Sequence, residues 1–318
     1  MALTLAEAAK LSQDDLQRGV LETFVQESSV LDRIPFLTIQ GNAYAYNEEA
    51  TLPNVQFRSV NEGYDESTGT VNPKSESLVI LGGDADVDRF IVQTRGNLND
   101  QRATQTRMKV KAASYFFQDQ FINGDTAVTP KGFDGLKKRL VGSQVISAGT
   151  NGIPIVGNGN SDAYAYFDAL DALVASVPGL NGSNGALYTN RQVIAKTLSA
   201  GRRIGGVETV RSDITGKRQV TWNGIALLDI GQRPDGSDIM PMTETKGTAT
   251  DAGSIYAVRF GSAEGDQAVT GLTNGGVQVM DLGQLQEKPV YRTRLEFYTG
   301  LALFGGKAAA RLTGVLAK

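Results

Sequence analysis

Between residues 99 and 121, Ala103, Thr106, Val110, Ala113, Phe117 and Phe121 recur at steps of three or four, and Gly124 stops the pattern. That spacing predicts one unbroken amphipathic helix, about 35 Å long at 1.5 Å per residue. A rod of that length is long for a core helix of a globular domain, so the remaining segments are read around it.

Those segments mix helix and strand signals. Residues 1–38 form an expected arm of small amphipathic helices. Thr4 with Glu7 reads as a capping box, and a second start at Ser12 and Asp15 opens a helix to about Gln26 with Leu16, Val20 and Phe24 on one face. From 39 to 80 the pattern alternates: Tyr44 and Tyr46 share a face, Val55 and Phe57 suggest another strand, and Leu78, Val79 and Ile80 return after a polar stretch at 61–69. That stretch is too polar to bury and too long for a tight hairpin, so the segment is an extended β-excursion with a soft tip. Residues 161–177 predict a second helix (Tyr166, Leu170, Leu173, Val177) capped at Ser161, and 186–188 a strand feeding a third helix to Ile204. Short glycine-punctuated strands are expected over 207–286. Residues 290–303 alternate cleanly, Tyr291, Thr293, Leu295 and Phe297 against Arg292, Arg294, Glu296 and Tyr298. The chain is α+β, without an internal repeat or low-complexity tract.

Its chemistry is narrow. The 318 residues include no histidine and no cysteine. Zinc sites with His/Cys ligands, Ser-His-Asp triads, thiolate nucleophiles, haem ligation and disulfides are therefore excluded. Residues 300–307 (GLALFGGK) imitate a phosphate loop, but the spacing is one too long and Ala308 replaces the Mg-binding hydroxyl, so a turn between strands is the better reading. Asp84, Asp86 and Asp88 begin like a calcium loop but meet Arg89 and Arg95 where Gly and Glu are required; a charged strand face fits them better. Residues 157–162 lack the third glycine of a dinucleotide fingerprint. No catalytic, cofactor or metal residue is assigned.

A net charge of −3 gives the chain as a whole no affinity for polyanions. There are 37 glycines, against about 22 at average usage, and only 9 prolines, which suits many turns and hinges. No signal peptide precedes the arm, since Glu7 and Lys10 interrupt its apolar start, and no run approaches the roughly 18 apolar residues of a membrane span. A cytoplasmic site of synthesis is expected, with no membrane partner.

The order of arm, β-excursion, long helix, glycine-rich α/β region and returning strand resembles the major capsid protein of tailed double-stranded DNA bacteriophages, the Hong Kong 97-type fold. Residues 99–125 (NDQRATQTRMKVKAASYFFQDQFINGD) resemble its spine helix. The segments 132–136 (GFDGL), 188–191 (YTNR) and 291–311 (YRTRLEFYTGLALFGGKAAAR) also look like family segments. The resemblance implies a structural protein, not an enzyme, forming hexamers and pentamers that close an icosahedral shell around DNA. It divides the chain into an arm (1–38), an extended loop (39–82), a peripheral domain (83–140 and 287–318) and an axial domain (141–286). Partners would be further copies of the chain, a portal, a scaffold, decoration proteins and weakly held packaged DNA. Its place would be the virion capsid, after the host cytoplasm. Because the arm starts close to Met1, a separate scaffold or none is expected.

Charge suggests how neighbours meet. Residues 47–76 hold six acids (Glu48, Glu49, Glu62, Asp65, Glu66, Glu76) against two bases (Arg58, Lys74). Bases outnumber acids in the spine segment, with Arg102, Arg107, Lys109 and Lys111, and in residues 287–318, with Arg292 and Arg294. The acidic loop is expected to dock on the basic peripheral surface of the next subunit, setting orientation and encounter rate. In some relatives a loop lysine forms an isopeptide bond, and Lys74 is the only lysine between Lys10 and Lys109, but no partner asparagine is identifiable. Two alternatives stay open: an encapsulin-like shell holding protein cargo, and a monomeric carboxylate-dependent hydrolase.

Overall fold

A computed structural model describes residues 28–95, 101–157, 159–204, 208–211 and 218–318. The expected helices of the arm and the Gly205 stop lie outside them. In chain order the elements are β1 (Phe36–Thr38), β2 (Ala43–Thr51), β3 (Thr70–Ser77), β4 (Val79–Asp88), α1 (Arg89–Arg95), α2 (Gln101–Asn123), α3 (Leu136–Arg139), β5 (Val145–Ser147), β6 (Ile153–Pro154) and α4 (Asn160–Ala175). There follow β7 (Gly185–Thr189), α5 (Arg191–Ile204), β8 (Glu208–Arg211), β9 (Arg218–Trp222), β10 (Ile225–Asp229), β11 (Glu244–Lys246), β12 (Ala249–Arg259), β13 (Val269–Gln284), β14 (Val290–Leu303) and β15 (Ala309–Leu316).

The strands make three sheets. A four-stranded sheet runs β1-β13-β14-β4, a nine-stranded sheet β5-β15-β12-β7-β10-β9-β8 with β6 on β15 and β11 on β12, and β2 with β3 form a separate ribbon. The long helix α2 turns Val110, Phe117, Phe121 and Ile122 toward one core, leaving its first-turn Ala103 exposed. There Phe117 meets Phe36, Phe133 and Phe297 at ring separations of 5.9–6.2 Å. Phe297 comes from β14, whose alternation puts Thr293, Leu295, Phe297 and Thr299 inward. The second core lies on the other face of the nine-stranded sheet, where α4 and α5 supply Tyr166, Phe167, Leu170, Leu173, Val193 and Ala200.

Glycine acts in two ways. At Gly124 a Cβ would stand 2.4 Å from the Phe133 carbonyl, and at Gly135 2.5 Å from that of Gln120, so two backbone segments touch where α2 ends. At Asn223 and Gly224 the φ angles are 49° and 75°, the pair of positive values that closes the tight β9–β10 hairpin.

Several expectations need correction. Val55 and Phe57 do not form a strand: residues 52–69 are irregular and both side chains project into solvent, since no partner strand lies beside them. Ser161 is inside α4 rather than its cap, which is Gly159 without a side-chain bond. The strands after 207 are longer than expected, β12 having 11 residues and β13 having 16, because the glycines of β13 sit at register shifts that bulge the strand without ending it. Strand pairing joins segments far apart in the sequence, with β13 in the sheet of β14 and β15 inside the nine-stranded sheet.

Candidate inter-subunit surface

The extended loop is a ribbon with a fixed root and an uncovered tip. In register, Tyr44 faces Glu76, Tyr46 faces Lys74 and Glu49 faces Val71. At the root, the Tyr46 hydroxyl donates to the Leu303 carbonyl at 2.9 Å, and its ring meets Phe304 edge-on at 5.0 Å. Burial, reinforced by Glu76, pushes the Tyr46 phenol up to about 12. Glu76 takes both guanidinium arms of Arg139, one at 2.7 Å. Farther out Lys74 pairs with Glu48 at 2.5 Å, so that lysine is already held within its own ribbon.

Beyond Thr51 the side chains have no core. Leu52, Val55, Phe57, Val60, Tyr64 and Val71 are all exposed, Val55 and Val60 at 88% each. The tip is ordered by its own polar groups: the Glu62 carboxylate accepts from Ser59 N at 2.9 Å, while Arg58 donates to the Glu62 carbonyl and lies 5.2 Å over the Tyr64 ring. Asp65 and Glu66 are exposed and without an ion-pair partner among the described residues.

The basic groups expected to receive this loop are differently disposed. On the outer face of β4 and β14, Arg292 clamps Asp86 at 2.6 and 2.7 Å and Arg294 clamps Asp84 at 2.8 and 3.0 Å, each directly across the strand pair. Those arginines hold the Asp84 and Asp86 carboxyls below their usual range. Arg102 bonds Asp281 at 2.6 Å and lies over the Tyr291 ring, Lys109 flanks Gly83 beside Asp84, and Lys111 lies over Tyr115. Arg107 is exposed and forms no ion pair among the described residues. The arginine-aspartate ladder and the apolar tip were not anticipated, although alternating Asp on one strand and Arg on another was a readable sign of the first. No group of three acids among the described residues is placed to hold a metal.

Comparison with known proteins gives a consistent picture. The family model of major capsid protein GP7 matches residues 12–167. No curated protein matches the sequence. The fold is similar to that of the SrpI encapsulin complex of Synechococcus elongatus PCC 7942 at 19% identity and a TM-score of 0.66, over 100% of this chain and 98% of that one. It is also similar to the capsid of a native GTA particle (15%, TM-score 0.63, 91% and 90%) and to a structure of Mycobacterium phage Bobi (13%, TM-score 0.58, 98% of each chain).

Proposed function

We propose that the chain is a Hong Kong 97-type major capsid protein, as its match to the family model of major capsid protein GP7 over residues 12–167 and its capsid-like fold support, and that its copies assemble as hexamers and pentamers into a closed icosahedral shell around double-stranded DNA. The observation that carries this is the tip of the extended loop, where six apolar side chains stand in water on a root that is firmly fixed. Exposed apolar surface of that kind marks a site of interaction with another molecule, and a second copy of the chain supplies the cover in a shell. Around those contacts Glu48, Arg58, Glu62, Asp65, Glu66 and Lys74 form the polar rim. Arg102, Arg107, Lys109, Lys111, Arg292 and Arg294 belong to the receiving peripheral surface, with Arg107 and Lys109 the groups best placed to meet loop carboxylates. The arm, peripheral and axial parts act as one subunit, whose further partners are a portal, a scaffold and decoration proteins.

A second reading, a nanocompartment around protein cargo, is favoured by the likeness to the SrpI encapsulin complex over the whole chain. One experiment tests both. The chain expressed alone, sedimented and imaged by negative-stain electron microscopy, gives closed particles or five- and six-fold rings; a monodisperse monomer, with and without candidate scaffold, would overturn the shell. Nuclease-protected DNA in particles from an infected or induced host separates a genome container from a protein one.

A further inference from the structure

The helices α4 and α5 lie side by side on the nine-stranded sheet, joined by the Tyr166 hydroxyl and Thr197 at 2.8 Å. Their charges are segregated. The sequence of α4 contains Asp162, Asp168 and Asp171 and no base, and that of α5 contains Arg191, Lys196, Arg202 and Arg203 and no acid. On α4 the side turned from the sheet presents Tyr164, 54% exposed, followed by Asp168, Asp171 and Ala175, and on α5 it presents Gln192, Lys196 and Arg203. Each series runs along one side of its helix at steps of three, four or seven.

Two bland explanations fail. The helix dipole accounts for Asp162 in the first turn of α4 and for Arg202 and Arg203 in the last turn of α5, but not for Arg191 at the first residue of α5, where a cation is disfavoured, nor for mid-helix Asp168 and Lys196. Within the chain Arg191 acts on the Asp238 carboxyl, but pairing does not account for the other charges. Asp168, Lys196 and Arg203 have no ion-pair partner among the described residues, and Asp171 uses a single oxygen, Oδ1, to accept from Trp222 and Asn223 at 2.6 and 3.0 Å.

We propose that α4 of one copy docks against α5 of the next around the capsomer axis, the acidic, tyrosine-bearing face of one meeting the basic face of the other. This rests on the shell reading above. Two different patches of one subunit meeting head to tail are the kind of contact that closes a ring. Opposite charge across it steers encounter and fixes register, while a copy in the wrong orientation brings like charges together.

The test is charge exchange on exposed positions. One variant carries Asp168→Lys with Ala175→Lys, a second Lys196→Glu with Arg203→Glu, and a third all four. At low salt each two-site variant should yield about tenfold less protein in particles than wild type, with unchanged thermal melting, and the four-site variant should recover to within about twofold. Tagged four-site chains co-expressed with wild type should sort into separate particles. Equal yields from all variants, or a four-site chain that melts like wild type and stays unassembled, would overturn the helix contact while leaving the shell intact. If the α5 variant assembles normally and merely retains less nucleic acid, the basic face serves the packaged polyanion and the contact is wrong. A wild-type chain that forms no particle would overturn the shell reading itself.

Discussion

The ladder of Asp84 with Arg294 and Asp86 with Arg292 fixes charge at the scale of single residues. Both carboxyls are held below their unfolded value of about 3.9. The sign follows: their contribution to stability is complete above that value, falls as the pH drops through the folded values, and is gone below them. Asp84→Asn with Asp86→Asn should lower stability by about 1 kcal/mol at most at pH 7, since the pairs are partly exposed. The gap to wild type in urea titrations should close as the pH falls toward 3. Phe117, fully buried among Phe36, Phe133 and Phe297, is a different case: Phe117→Ala should cost about 3–5 kcal/mol, read as a large drop in the urea midpoint. The sequence displayed the aspartates and arginines as two alternating faces but could not pair them. The partners stand 206 and 210 residues apart, and which strands become neighbours is decided by the whole sheet.

Among the elements, those with a local period were legible and those that depend on distant partners were not. Helix α2 was expected at 99–121 and is described over Gln101–Asn123; its apolar repeat and its glycine stop are local signals. Strand β14 has its expected bounds because its alternation up to Thr299 can be satisfied in one way only, and the buried residues from Thr299 to Leu303 continue it into the core. The loop at 52–69 departs from expectation at Val55 and Phe57, whose apolar side chains stand exposed in an irregular segment and not in a strand. The glycines of β13 were read as breaks and are bulges. Where α2 ends, Gly124→Ala should destabilise the chain by about 1–3 kcal/mol, because the new methyl would collide with backbone and no side chain can yield; differential scanning calorimetry would show it as a lowered melting temperature.

For the whole molecule, the proposed shell contacts lie apart from the buried cores that stabilise the subunit. Phe57→Ser with Val60→Ser removes apolar surface that touches no core, so the subunit should melt within about 0.5 kcal/mol of wild type while losing its ability to form particles, measured by sedimentation. Trypsin gives an independent readout: Arg58 lies in the exposed loop and should be cut rapidly in free subunits and slowly in assembled ones. The position of β15 has a further consequence. It is the last described strand to be synthesised, yet it lies between β12 on one side and β5 and β6 on the other. A nascent chain on the ribosome therefore has an open seam through its large sheet until residues 309–316 have left the exit tunnel. The large sheet is thus closed last at an interior strand, by the segment that reaches it latest.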